Sequence, residues 1–193
     1  GGDTVIGRDE ADKLYGGRGN DALFGGYDKD DLFGGGGRDD LFGGSSDDRM
    51  KGGGGADHLY GGFGGDELFG AAGDDHLYGE DYSDDIFGGL GDDSLFGGTG
   101  SDEMSGQNGK DVIFGGSGSD IFYFSEDGGA DRFKDFEDGR DRISLAEVSF
   151  TYEDLKFVSK AGGDSTLIKV GGYAVSLFLN DISVDQLSIY DFY

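Results

Sequence analysis

The sequence predicts an all-β solenoid, and three observations carry that prediction. A nine-residue period runs through most of the chain, one aspartate recurs in every period, and an apolar residue stands two positions after each aspartate. Composition narrows the alternatives. The 193 residues hold 43 Gly and no Pro, Cys or Trp. Glycine at roughly three times ordinary usage, without a three-residue period or proline, is not collagen. The absence of cysteine excludes disulfide staples, thiol catalysis and Cys-based zinc sites. With 41 acidic against 15 basic residues the formal charge is −26, which argues against nucleic acid or anionic lipid as a partner and for cations. No apolar run approaches the ~20 residues of a membrane helix, and no N-terminal signal peptide is visible.

Written in rows of nine from Gly7, the chain gives thirteen full rows to Tyr123 without insertion or deletion, after a partial row at its start. Column six is Asp at every occurrence: Asp3, Asp12, Asp21, Asp30, Asp39, Asp48, Asp57, Asp66, Asp75, Asp84, Asp93, Asp102, Asp111 and Asp120. Column eight is always apolar, from Val5 through Leu, Ile or Met to Phe122. A Gly-rich stretch can take positive φ at several positions and turn tightly, with its carbonyls exposed. The last three residues hold one inward apolar side chain and suffice for a short strand. Turn plus strand, repeated, winds into a solenoid in which stacking supplies the core that no single unit could bury.

Two rows per coil is the smallest closure that encloses side chains. Column four agrees with an 18-residue coil: its departures from glycine, Glu10, Asp28, Ser46 and Tyr82, all fall in odd rows, counted from Gly7. Such a coil stacks the aspartates of alternate rows along two edges at roughly 4.8 Å. Two bare carboxylates at that distance repel by about 0.9 kcal/mol even in water, and more where water is excluded. A file of them demands a cation. Lys and Arg are too few and out of register, so hard divalent ions remain. Calcium accepts six to eight oxygens in flexible geometry, which carboxylates and turn carbonyls can supply; the strict octahedron of magnesium fits such a cage poorly.

The rows resemble the G-G-x-G-x-D-x-U-x nonapeptide of RTX (repeats-in-toxin, hemolysin-type) proteins, over about two-thirds of the chain. The resemblance implies a right-handed parallel β-roll with two nonapeptides per coil and several Ca2+ ions between consecutive turns on each edge. It implies as ligands the fourteen column-six aspartates together with backbone oxygens at columns two and four. In the turns that keep their glycines these are Gly17, Gly19, Gly35, Gly37, Gly53, Gly55, Gly62, Gly64, Gly73, Gly89, Gly91, Gly98, Gly100, Gly109, Gly116 and Gly118. Altered coordination is expected on the odd edge, beside Glu10, Asp28, Ser46 and Tyr82.

After Phe124 the period stops, and the chain divides into a roll over 1–123 and a β-rich capping and secretion-signal region over 124–193. Strands are expected near 131–136, 142–145, 155–160, 165–170 and 173–179, with helical turns at Thr151–Leu155 and Ser183–Leu187. A solenoid needs such a cover on its open last coil. The stretch Asp131 to Leu145 resembles the segment that follows the repeats in serralysins, RTX lipases and alginate epimerase modules, departing mainly at Phe133. The ending Ser188-Ile-Tyr-Asp-Phe-Tyr193 is similar to the acidic-then-hydrophobic tail read by type I (ABC) exporters.

Two surface features stand apart from the metal reading. His58 and His76 share column seven 18 residues apart, so a two-row coil sets them side by side, as a surface pair or a transition-metal site. Eleven of thirteen column-nine residues, from Tyr15 to Tyr123, are aromatic and point outward, which predicts a stacked ladder on each face or a platform for polysaccharide or a surface partner. No Ser/His/Asp set, phosphate loop or HExxH motif is present. The expected function is a calcium-binding module, not an enzyme, that folds on meeting extracellular calcium and supports type I secretion of a larger bacterial protein. Any catalytic domain is expected upstream, because the chain begins inside a repeat.

Overall fold

The computed structural model describes residues 1–124, 129–137 and 140–144 in full, and the backbone of 155–159, 165–170 and 176–180. Fourteen strands occupy the repeats: β1 (Thr4–Arg8), β2 (Lys13–Arg18), β3 (Ala22–Gly26), β4 (Asp31–Gly36), β5 (Asp40–Ser45), β6 (Arg49–Gly54), β7 (His58–Phe63), β8 (Glu67–Ala72), β9 (His76–Asp81), β10 (Asp85–Leu90), β11 (Ser94–Gly100), β12 (Glu103–Asn108), β13 (Val112–Gly118) and β14 (Ile121–Tyr123). Each starts at column seven, the residue after the aspartate, and all but β14 run into the first residues of the next row.

Strands pair in parallel with the strand two further on, as Leu14 with Leu32 and Leu23 with Leu41. The partner is 18 residues away, so one coil is two rows. Odd strands form one sheet and even strands the other, giving an all-β parallel solenoid of about eight turns, consistent with the expected right-handed roll. The described residues contain no helix.

Period-two alternation along each strand sends column eight inward and columns seven and nine outward. Leu23, Leu32, Leu41, Met50, Leu59, Leu68, Leu77, Ile86, Leu95 and Met104 are 0% exposed and form one continuous core, which Ile113 and Phe122 extend. Burying each such side chain stabilises by about 1.5–3 kcal/mol. Outside, Phe24, Phe42, Tyr60, Tyr78, Phe96 and Phe114 stack face to face at centroid distances of 4.8–5.0 Å along the odd sheet. The even sheet breaks its ladder where column nine is Lys51 and Ser105.

The coil continues past the last repeat. β15 (Arg132–Phe133) pairs with β13, and β16 (Arg142–Ser144) pairs with β14. Phe133 and Ile143 take the inward positions next to Ile113 and Phe122, at spacings of 20 and 21 residues instead of 18. Phe133 stacks on Phe122 at 4.5 Å, and Phe136 packs against the same ring. These residues cover the apolar end of the last regular coil.

Beyond them β17 (Leu155–Ser159), β18 (Ser165–Val170) and β19 (Ser176–Asn180) form an antiparallel meander whose last strand joins β15 in parallel. All five strands expected after Phe124 are found, although β15 is only two residues long. Residues 151–154 of the first expected helical turn, all of the second, and the tail Ser188–Tyr193 lie outside the described residues.

Candidate metal centre

The register brings column six into two files. Asp3, Asp21, Asp39, Asp57, Asp75, Asp93 and Asp111 follow one edge; Asp12, Asp30, Asp48, Asp66, Asp84, Asp102 and Asp120 follow the other. Within a file each Asp N–H donates to Oδ1 of the aspartate one coil on, at 2.7–3.0 Å. One carboxylate oxygen is thereby satisfied. The other is not: Oδ2 of all twelve aspartates from Asp21 to Asp120 is buried without a hydrogen-bond partner. Twelve orphaned buried acceptors are far more than a native fold leaves unpaired, and they call for a cation or a proton beside Oδ2.

The surroundings of Oδ2 show what could. Column one is glycine in every row, and a Cβ built on Gly16 would lie 2.7 Å from both Asp21 Oδ2 and the Gly34 carbonyl oxygen. A Cβ at Gly25, Gly34, Gly43, Gly70 or Gly88 would meet the equivalent pair of oxygens. Carboxylate and carbonyl oxygens thus converge on a space that any side chain would close. Among the described residues no three His, Cys, Asp or Glu side chains could hold a metal by themselves. A cation at an edge would therefore draw on carbonyls as well as carboxylates, and that mixed oxygen set suits calcium.

Electrostatics agree. Burial, opposed by the backbone N–H bond and aided by neighbouring carboxylates, pushes Asp84 up to about 8 and Asp48, Asp57 and Asp93 to about 7. Asp102 likewise rises to about 7, and Asp66 to about 6. Without a countercharge the files resist ionisation at neutral pH.

All sixteen candidate glycines have positive φ, between 94° and 155°. Their carbonyls face the next coil: a Cβ on Gly37 would lie 2.1 Å from Gly19 O, and one on Gly35 would lie 2.2 Å from Gly17 O. Columns two and four thus combine strained backbone with a close approach that only glycine meets freely. At column two the Arg8 carbonyl already accepts the Tyr27 N–H, so part of that lone-pair capacity belongs to the ladder.

The edges differ in their turns, as column four foreshadows. Column-four glycines sit at φ 122–155°, whereas Glu10, Ser46 and Tyr82 sit at 73–83°, and Asp28 has no positive φ. On the even edge the N–H of Gly19, Gly37, Gly55, Gly73 and Gly91 donates to the column-three carbonyl of the next coil at 2.7–2.9 Å. At Asp28 a side chain intervenes instead, its Oδ2 accepting the Glu10 N–H. The aspartate files themselves run the same way on both edges.

Sequence reasoning passed over three groups. Column one is one. The second is Asp131 and Asp141, whose Oδ1 atoms accept the N–H of Asp111 and Asp120 and so lengthen both files. The third is Asp135, whose two oxygens accept the N–H groups of Gly115 and Gly116 at 2.9 Å. The signal was present: Asp131-Arg-Phe and Asp141-Arg-Ile repeat the D-x-U of the rows, masked by their longer spacing. The histidine pair is a surface feature. His58 and His76 meet edge to face at 5.2 Å, and Asp40 Oδ1 lies 3.0 Å from His58 Nδ1. The Arg38 guanidinium stands 3.3–3.4 Å from both His58 ring nitrogens, where it opposes a metal cation.

A parallel solenoid whose edges carry stacked carboxylates and glycine turns is a calcium-binding nonapeptide-repeat roll. The chain belongs to the RTX calcium-binding nonapeptide repeat family, whose profile matches residues 1–32, 33–68, 60–95, 69–104, 87–122 and 96–132. Such a repeat roll is a structural module rather than a catalytic one. Among solved structures the chain is similar to the AlgE6R3 subunit of the Azotobacter vinelandii mannuronan C5-epimerase, with 28% identity and a TM-score of 0.51 over 62% of this chain and 77% of that one. It also matches the extracellular lipase LipA of Serratia marcescens at 19% identity and a TM-score of 0.39, covering 90% of this chain and 39% of the lipase. No curated protein sequence matches significantly.

Proposed function

We propose that the chain is a calcium-dependent folding and export module, with residues 1–123 as the calcium-binding roll and 124–193 as the cap and secretion signal of a larger secreted protein. The observation that carries this reading is the set of twelve buried Oδ2 atoms without partners. The column-six aspartates and the turn carbonyls at columns two and four would hold the ions, and calcium would supply the positive charge that lets neighbouring carboxylates stack. The protein's own part is to place oxygens: the Asp N–H to Oδ1 ladder fixes each carboxylate, and glycine keeps the space beside Oδ2 open.

Such a module stays expanded at cytosolic calcium, which suits passage through a type I exporter, and folds where calcium is about 0.1–1 mM. Two measurements test the reading. Dialysis against radiolabelled calcium should find several ions per chain, and fewer in Asp57→Asn. Removing Ser188–Tyr193 should abolish export from cells that carry a type I exporter; full export of the shortened chain would contradict the secretion role.

A second reading, polysaccharide binding, is favoured by the six-ring ladder and by the similarity to a mannuronan epimerase subunit. The rings of that ladder, however, stack on one another at 4.8–5.0 Å and hide the faces that a sugar would use. A glycan array in calcium buffer separates the two readings.

A further inference from the structure

We propose that the break in the even-sheet ladder at Lys51 is a binding site for a planar aromatic carboxylate. Column nine of that sheet runs Tyr15, Phe33, Lys51, Phe69 and Phe87, with Lys51 in register between the two phenylalanines. Tyr15 stacks on Phe33 at 5.0 Å and Phe69 on Phe87 at 5.3 Å, each nearly parallel. One rung is missing between these pairs. Phe33 and Phe69 stand two strand spacings apart, roughly 9.6 Å, which admits one ring at the ladder's own spacing once the Arg49 guanidinium that lies over Phe69 turns aside.

A cavity of about 530 Å³ runs from this break along the Phe69–Phe87 pair as far as β12, with Phe33, Arg49, Lys51, Phe69, Phe87 and Gln107 in its lining. Glycine and alanine at column two, Gly89 and Ala71, keep its floor low. The odd sheet, whose six rings are continuous, shows by contrast no missing rung.

Charge selects the ligand. On a molecule of net charge −26, two cations project from one strand at this point. The Arg49 guanidinium lies 5.5 Å from the Phe69 centroid and pairs with Glu67 at 3.4 Å. Among the described residues the exposed Lys51 ammonium has neither a hydrogen bond nor an ion pair. An aromatic ring completes the ladder and its carboxylate meets the free ammonium; neither a neutral arene nor a non-aromatic anion satisfies both.

The calcium-loaded full chain is titrated with 2-naphthoate, with the neutral 2-naphthalenemethanol and with an oligogalacturonate, each followed by fluorescence or ligand-observed NMR. Naphthoate should saturate one site and bind about fivefold or more tighter than the neutral analogue. Lys51→Gln should erase that preference, and Lys51→Phe, which supplies the missing rung, should weaken naphthoate about tenfold. Lys51→Gln should keep the wild-type calcium midpoint by circular dichroism, and Lys51→Phe should keep or lower it, which separates loss of the site from loss of the fold. Failure of naphthoate to saturate, equal affinity for the neutral analogue, or unchanged binding in Lys51→Phe overturns the proposal. Tighter binding of oligogalacturonate would instead make the break a sugar-acid site and overturn the aromatic class.

Discussion

Asp57 shows why a single carboxylate controls two states of this protein with opposite signs. Its Oδ1 accepts the Asp39 N–H at 2.8 Å, while its Oδ2 is buried and unpartnered. Burial raises its pKa to about 7, with Asp75 and Asp39 adding to the shift. Asp57→Asn keeps an acceptor but removes a charge. The calcium-loaded roll should lose about 1–3 kcal/mol and need more calcium to fold, whereas the metal-free chain at pH 7.5 should gain helpful neutrality. Thermal melts in calcium and in chelator read both signs. Gly52→Ala tests the same site from the other side, because its Cβ would sit 2.5 Å from Asp57 Oδ2; the clash should cost about 1–3 kcal/mol in calcium.

The pH dependence follows from the same residues. Folded-state pKa values of about 6–8 lie above the ordinary carboxylate value, so protonation favours the metal-free fold. That contribution is fully present below about pH 4 and is lost as pH rises through 6 to 8. In chelator the chain should therefore be more ordered at pH 5 than at pH 8. In calcium the direction reverses: protons compete for Oδ2, and the calcium midpoint should rise as pH falls from 8 to 6. A chelated chain with identical far-ultraviolet spectra at pH 5 and pH 8 would contradict this reading.

Individual strands are held by column eight inside and column nine outside, and the two layers carry different weight. Leu59→Ala leaves a cavity in a core with no exposure and should cost about 2–5 kcal/mol in calcium. Tyr60→Ala removes two stacked contacts, at 5.0 and 4.9 Å, and should cost about 1–3 kcal/mol. The strands were legible because columns six and eight state the register without interruption; Leu23 and Leu41 pair as the 18-residue coil requires. The turns were only partly legible. Glycine at columns two and four signals positive φ, but column one reads the same in sequence while serving a different purpose, clearance for Oδ2. The extension through Asp131 and Asp141 was obscured by two and three extra residues, which break the row arithmetic while leaving the pairing intact. Nothing in a nine-column table shows that Lys51 lines a cavity, since that depends on what its neighbours leave unfilled.

The whole molecule is a one-dimensional stack in which each coil is stabilised by its neighbours. Its last coil is closed by Phe133, Phe136 and Ile143, which surround Phe122, and by Asp135 and Asp141, which take up open N–H groups. Asp141 Oδ2 accepts the Glu137 N–H where the repeat aspartates leave Oδ2 open, so the end is better satisfied without metal than the coils before it. Truncation after Phe124 should raise the calcium needed for folding several-fold and broaden the transition, while truncation after Ser144 should do less. Equal midpoints for all three chains in calcium titrations would show that the cap has no part in ordering the coils.

Whether the carboxylate files make folding conditional on calcium is read by far-ultraviolet circular dichroism of the full chain at pH 7.5 as calcium is raised from chelator to about 10 mM, a range that brackets the affinities of extracellular calcium modules. The spectrum should be largely unordered in chelator and change cooperatively to β-structure at about 0.1–1 mM calcium, with no equivalent change in magnesium. A chain already fully β-structured in chelator at that pH would contradict this dependence on calcium.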